Sequence, residues 1–448
     1  MIITNIEVDG FRNINDLAFQ PDPGVNVICG SNAQGKTNLL EAIWLASGEK
    51  SFRGARDREM VSLDLEGTSV RIDFKTSERM QNVSYSFSRN PKDKEVLVNG
   101  IKARTSADVL GRLLLVIFTP DDLNLTKGSP AVRRDFLDMC VSQVRPRFKT
   151  MIDEYNNILE QRNNLLKSMS MGRGSEDELD VWDFQLAGRG ACISLFRYTY
   201  IDGLAREAAK YYDIISEGKE SLEIKYISTI YENLRKSILS KTNLKSEYYQ
   251  MLKKNRPEDI RLGYTANGIH RDEVCVNING FPVKQYGSQG QNRSAALCIK
   301  FGQAMMLKTE TGEEPVILLD DVLSELDRDR QKFVLSNIVN LQTFITCCKG
   351  EIKKMGSIYE MADGKLDLVD IYSSTPLKSA ARNKKGEERD VFAPRQRRER
   401  CDAGCDSGDG HRKVIDIQNH KGVFSPCGKV RMGGVLLLRN AEKLCNNA

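Results

Sequence analysis

The sequence has no run of about eighteen apolar residues, the length a membrane-spanning helix needs, so no span is expected among its 448 residues. Met1-Ile2-Ile3-Thr4-Asn5 lacks the basic region and apolar core of a secretory signal and reads directly as a strand, so a cytoplasmic protein is expected. There is no disulfide framework. The eleven cysteines are scattered, and Cys29, Cys140, Cys192, Cys275 and Cys298 fall in apolar or helical patterns, which is reduced usage. Charge imbalance is small: a net +5 permits an anionic partner without demanding one. No stretch sustains a/d heptads, which excludes a long coiled coil. What remains, 40% hydrophobic and 28% charged, is the composition of a soluble globular chain of roughly two to three domains.

Against these absences one stretch stands out. Gly30-Ser31-Asn32-Ala33-Gln34-Gly35-Lys36-Thr37 reads G-x-x-x-x-G-K-T, a phosphate-binding loop. Val25-Asn26-Val27-Ile28-Cys29 before it reads as a buried strand, and Thr37 to Leu45 after it as an amphipathic helix. A glycine-rich turn between strand and helix aims backbone N–H groups and the positive helix end at a polyphosphate. Gly30 and Gly35 let the backbone turn tightly. Lys36 is expected to reach the β- and γ-phosphates of ATP, and Thr37 to hold Mg²⁺.

Around the loop, residues 1–118 alternate as strands. Val70-Arg71-Ile72-Asp73-Phe74 and Val83-Ser84-Tyr85-Ser86-Phe87 have period two, and Leu113 to Phe118 is a continuous apolar run. Residues 119–262 are helical in period, with helices expected over Met151–Lys167, Val181–Tyr212 and Ile230–Lys254. Strand character returns at Val274-Cys275-Val276-Asn277-Ile278, inside a second part spanning 263–372. Residues 373–448 are crowded with charge and then rich in Gly and Asp, the composition of a basic, disordered tail. Cys401, Cys405, His411, His420 and Cys427 in that tail are too irregularly spaced for a zinc site.

The second part carries the rest of the chemistry. Val316-Ile317-Leu318-Leu319-Asp320-Asp321 is an apolar strand ending in two carboxylates. Beside a phosphate loop, Asp320 is expected to hold Mg²⁺ through water, and Asp321 to orient or deprotonate the attacking water. Upstream, Ser288-Gln289-Gly290-Gln291 opens a helix of small and apolar residues. It resembles the signature motif of ATP-binding-cassette (ABC) ATPases. That likeness implies that Ser288, Gly290 and Gln291 contact nucleotide held by the Lys36 of a second copy.

The whole pattern closely resembles the RecF family of bacterial recombination-repair ATPases over residues 1 to about 370. The matching stretches are Gly10-Phe11-Arg12-Asn13, the phosphate loop into Asn38-Leu39-Leu40-Glu41-Ala42-Ile43, and Ser51-Phe52-Arg53. They continue with Phe118 to Leu123, Lys127 to Asp138, His270-Arg271-Asp272, the signature stretch, and Leu319 to Asp327. The resemblance implies an α/β fold: an ABC-type ATPase head of mixed sheet and helices, interrupted by a helical second lobe. It implies a weak, DNA-stimulated ATPase that dimerises on ATP to clamp duplex, gapped or junction DNA. Its implied partners are RecO and RecR, and through them RecA at single-strand gaps, with a role in replication-linked repair and the SOS response. Arg12 is assigned to the nucleotide and Arg53 to DNA phosphates.

Three departures from the pattern follow. Gly268-Ile269-His270 has Ile where the family is expected to have proline. The polar switch residue after the carboxylate strand is Thr346 or Cys347, where ABC enzymes often carry histidine. The tail has no counterpart in the family. A transporter ATPase would be shorter, with a Leu-Ser-Gly-Gly-Gln signature. A nuclease-linked ATPase would need a second acidic cluster on a strand framework. Neither feature is present in the sequence. His270 is open between a catalytic role and a structural hydrogen-bonded pair.

Overall fold

The computed structural model describes residues 1–371 except Lys241 and residues 349–355; the sequence's basic tail and its Cys and His residues lie outside the described residues. At its centre is a six-stranded sheet in the order Leu115–Phe118, Val316–Leu319, Thr343–Cys347, Val25–Cys29, Ser357–Ala362 and Lys365–Ile371. The first five strands are parallel, and the last closes the edge as an antiparallel hairpin partner. Continuous apolar runs form these strands because both faces are covered. Alternation then sends successive side chains to two different cores. Val27, Val116, Phe118, Ile317, Leu319 and Ile345 enter one, and Ile28, Leu115, Ile117, Val316, Leu318 and Phe344 the other. Each fully buried aliphatic side chain contributes about 2 kcal/mol of transfer free energy.

The second core is closed by the phosphate-loop helix, Lys36–Leu45, and by an antiparallel sheet. That sheet runs in the order Ile14–Phe19, Ile2–Phe11, Gly67–Lys75, Met80–Ser88, Glu95–Val98 and Ile101–Lys102. Ile6, Val8, Ile72, Phe74 and Val83 point inward from it at period-two spacing, and a register shift between Ile3 and Asn5 brings Ile3 into the same core. The first core is closed by the signature helix Gln289–Thr311, by Arg328–Ile338, and by a lobe of four main helices. Those are Pro130–Val144, Arg147–Met169, Glu176–Ile215 and Leu244–Leu262.

The lobe differs from the sequence expectation in two places. The single helix expected over Ile230–Lys254 is broken into Leu234–Leu239 and Leu244–Leu262. Asn243 makes the break: its side chain accepts from the Ser246 N–H and caps the second helix instead of continuing the first. Leu222–Ile227 is a strand, unread in the sequence, and it pairs antiparallel with Glu273–Ile278. The sequence division at 262/263 therefore falls between two strands of one sheet. Inside the lobe, Arg162 is fully buried and bonds Asp183 at 2.6 Å, Asp259 at 2.8 Å and the Thr265 hydroxyl at 2.7 Å. It ties three helices to the chain that re-enters the head. Removing one partner from such a set leaves an uncompensated buried charge.

Candidate active site

The strand order decides what meets at the phosphate loop. Val25–Cys29 lies beside Thr343–Cys347, which lies beside Val316–Leu319. The loop, the end of the strand Thr343–Cys347 and the paired carboxylates therefore meet at the C-terminal ends of three adjacent parallel strands. The loop itself is held from three sides. Gly35, at φ +111, caps the helix, and a Cβ there would come within 2.8 Å of the Asn13 side chain. A Cβ on Gly30 would collide with the Met361 carbonyl. Gln34 accepts at its side chain from the Asp363 N–H, 2.5 Å, and at its carbonyl from the Gly364 N–H, 3.2 Å. Lys36 is 5% exposed, and its ammonium donates to the carbonyls of Gly30, 2.9 Å, and Ser31, 3.0 Å. It is folded over its own loop, where an incoming phosphate would meet it.

One carboxylate oxygen gathers the rest. Asp320 Oδ1 accepts from the Thr37 hydroxyl at 2.8 Å and from the Thr346 hydroxyl at 2.9 Å. The Thr346 oxygen in turn accepts the Asp321 N–H at 2.9 Å. Burial pushes the Asp320 carboxyl above its usual range, opposed by those two hydroxyls; the Asp321 charge raises it further and Arg53 lowers it. Of the two switch candidates, Thr346 touches both carboxylate residues, while Cys347 turns its sulfur to Cys29. Asp321 is a non-glycine residue at φ +51, a conformation aspartate tolerates better than most side chains. The set fits a hard cation: the Thr37 hydroxyl and the Asp320 carboxylate are the oxygen donors Mg²⁺ takes, with the remaining positions left to water and phosphate.

Arg12, assigned to nucleotide in the sequence, lies against the loop helix. Its guanidinium grips Glu41 in a fork, at 2.5 and 3.0 Å, and is 19% exposed at the side chain. Glu41 is fully buried, also accepts from the Ser51 hydroxyl, and has Arg53 at 3.6 Å. Arg53 bonds Asn38 at 2.9 Å with its side chain 44% exposed, and acts on Asp320 electrostatically.

The signature segment is built differently. Ser288 caps its helix: its hydroxyl accepts from the Gln291 N–H at 3.1 Å, and its own N–H donates to the Gln291 side chain at 2.8 Å. Gln291 reaches Glu220 of the lobe at 2.6 Å. Arg330 clasps the Gly290 carbonyl at 3.1 Å, the Ser294 hydroxyl at 2.9 Å, and Asp327. Ser288 and Gln289 are exposed. Among the described residues, no hydrogen bond or ion pair joins Ser288–Gln291 to Gly30–Thr37.

Comparison with known proteins decides the family. A family model described as RecF/RecN/SMC N terminal domain matches residues 2–365. The DNA replication and repair protein RecF of Lachnoclostridium phytofermentans is 38% identical over 347 residues, which is 78% of this chain and 92% of that protein. The chain belongs to the RecF family. The RecF of Acetivibrio thermocellus is 37% identical, over 79% of this chain and 94% of its own. Among solved structures, the recombination mediator RecF with ATP, of the RecFOR pathway, superposes with a TM-score of 0.76 at 36% identity, covering 82% of this chain and 98% of that one. Its complex with ATPrS gives 0.76 at 35% identity, with the same coverage. The fold expected from the sequence, an ABC-type ATPase head interrupted by a helical lobe, is the fold observed.

At the site, two features were not read from the sequence. The hairpin Ser357–Ala362 and Lys365–Ile371, whose turn braces Gln34, carries an Asp363-Gly364 turn signal that was legible. Glu41 as a hub had no signal, since an acidic residue on a helix reads first as a solvated face. His270 sits in a chain of hydrogen bonds. Its Nδ1 meets the Tyr155 hydroxyl at 3.0 Å, its Nε2 the Thr265 carbonyl at 3.1 Å, and Tyr155 meets Tyr248 at 3.0 Å. The Ile269 N–H donates to Tyr248, so a neutral ring with its proton on Nε2 satisfies the whole chain. Burial accordingly pushes His270 down to about 4.

Proposed function

We propose that this RecF-family chain binds and hydrolyses ATP and closes as a dimer on two ATP molecules to clamp DNA. It thereby serves RecO- and RecR-assisted loading of RecA at single-strand gaps, in replication-linked repair and the SOS response. The observation that carries the reading is the shared oxygen of Asp320. Thr37, from the phosphate loop, and Thr346, from the switch strand, converge on it from either side. The glycine cradle and Lys36 complete a polyphosphate site, and the RecF–ATP and RecF–ATPrS structures are of proteins sharing this fold.

The loop N–H groups and the helix start orient the phosphates, and Lys36 neutralises the transferred group. Thr37 and Asp320 would hold Mg²⁺, which would supply charge neutralisation to the phosphates. Asp321 orients or deprotonates the attacking water. Thr346 fixes the Asp321 backbone and one face of Asp320, the work a switch side chain performs. DNA contact is mainly to phosphates and is therefore salt-sensitive.

The test is ATP hydrolysis by the full chain with no DNA, with intact duplex and with gapped duplex, alongside a Lys36→Arg variant. DNA is expected to stimulate hydrolysis. Lys36→Arg keeps the charge but not the compact ammonium geometry, and is expected to fold normally and lose at least about a hundredfold in kcat. Turnover indifferent to DNA removes the clamp, and wild-type turnover by folded Lys36→Arg removes the ATP site.

A further inference from the structure

Two thiols meet at the base of the phosphate loop. Cys29 ends the strand Val25–Cys29, and the next residue is Gly30. Cys347 ends Thr343–Cys347, and the residue before it is Thr346. The two strands are parallel neighbours in which Cys29 and Cys347 are register partners, so both side chains leave the sheet on the same face. Their sulfurs are 3.1 Å apart, and neither is in a disulfide.

We propose that Cys29 and Cys347 are an oxidation site, joined by a reversible disulfide when the protein meets a peroxide, and that the bond shuts the nucleotide site. Cys29 is half-buried and Cys347 only 2% exposed, so Cys29 is the sulfur a peroxide reaches first. Its thiolate attacks one peroxide oxygen. An S–O bond forms, the O–O bond breaks, and the leaving oxygen departs as water after taking a proton. The sulfur has lost two electrons to the peroxide and is a sulfenic acid. The Cys347 thiol then loses its proton and attacks that sulfur. The S–S bond forms, the S–O bond breaks, and a second water leaves. Attack by a small dithiol returns both cysteines to thiols.

The consequence follows from what each cysteine is joined to. Gly30 has no free space on its Met361 side, where even a Cβ would collide with a carbonyl, and its own carbonyl holds the Lys36 ammonium at 2.9 Å. Thr346 holds Asp320 and the Asp321 N–H. Drawing the two sulfurs from contact into a covalent bond moves the ends of both strands. The lysine anchor and the carboxylate anchor lie one residue away on either side. The oxidised protein therefore binds ATP at least about tenfold more weakly, a change of 1.4 kcal/mol or more. This effect rests on the ATP reading above; the bond itself does not.

The experiment treats the full reduced chain with hydrogen peroxide and splits the sample. One half is alkylated under denaturing conditions and digested, and the peptides are mapped by mass spectrometry. The other is titrated with a fluorescent ATP analogue. The expected result is a bridged Cys29–Cys347 peptide together with weakened ATP binding, both reversed by dithiothreitol. Cys347→Ser and, independently, Cys29→Ser are expected to form no bridge and to keep their ATP affinity in peroxide. Separately alkylated Cys29 and Cys347 peptides after peroxide overturn the proposal, as does a bridged chain that binds ATP like the reduced one. A reduced chain that binds no ATP overturns the nucleotide reading and with it the switch, while the peptide map reports the bond on its own.

Discussion

Thr346 shows how much chemistry one hydroxyl carries here. It donates to Asp320, accepts from the Asp321 N–H, and sits on the strand between the loop and the carboxylates. Thr346→Val keeps its shape and removes both bonds. The expected result is a kcat lower by about tenfold to a hundredfold with KM changed little, because the loop that binds ATP is untouched. Steady-state kinetics that leave kcat unaltered would refute the switch assignment. His270 makes a different, pH-dependent contribution. Its folded value is about 4 and its unfolded value about 6.5, so between these the unfolded chain takes up a proton that the folded chain does not. The neutral ring's contribution is complete above about pH 6.5 and is lost as pH falls toward 4. The stability gap between wild type and His270→Gln is therefore expected to narrow from pH 7 to pH 5 in urea unfolding; a constant gap contradicts it. At this scale the sequence was informative about which residues gather at the loop, as at Lys36, Thr37 and Asp320. It was silent where only the fold chooses a partner. Arg12 and Arg53 look alike as neighbours of the loop, yet a buried Glu41 takes the first in a fork and leaves the second more exposed.

Among the elements, the closing hairpin matters most to the loop. Gln34 and Asp363 are 329 residues apart in sequence, and the turn's two N–H groups hold that side chain and carbonyl. Gly364 is at φ +76, and a Cβ there would collide with the Asn13 carbonyl. Gly364→Ala is expected to cost about 1 kcal/mol or more of stability and to weaken ATP binding several-fold. Gly100, at φ +77 in the turn after Asn99, has open space around it. Gly100→Ala should carry a comparable backbone cost and leave ATP affinity alone. Thermal unfolding and ATP titration of both variants check the pair, and equal ATP affinities would show that the hairpin does not brace the loop. Elements with strong period were legible: the parallel strands as apolar runs, the antiparallel ones as alternation, the phosphate-loop helix from its neighbours. Two were lost to competing local signals. Asn243 prefers to cap a helix rather than lie within one. Leu222–Ile227 alternates well but sits between long helices, where nothing local names Glu273–Ile278 as its partner.

In the whole molecule, the two halves of the head are separated in sequence by the helical lobe and reunited by strand pairing, so that Thr37 meets Asp320 across 283 residues. Order along the chain showed that the motifs belong to one site; the geometry that joins them could come only from the sheet. The signature segment is the part this arrangement leaves unmatched. Its serine is exposed, its helix start is braced from behind by Arg330 and Glu220, and among the described residues its bonds do not run to the phosphate loop. On the proposed function, a second copy would supply what one copy lacks, donors on the far side of the γ-phosphate, so that ATP would bridge two subunits and ADP would not. Sedimentation of wild type and Ser288→Arg, each with ATP and with ADP, tests this most directly. The account predicts that wild type forms a dimer with ATP and not with ADP, and that Ser288→Arg binds ATP normally yet stays monomeric, because bulk and positive charge occupy the seam. A Ser288→Arg protein that dimerises with ATP as the wild type does would contradict it.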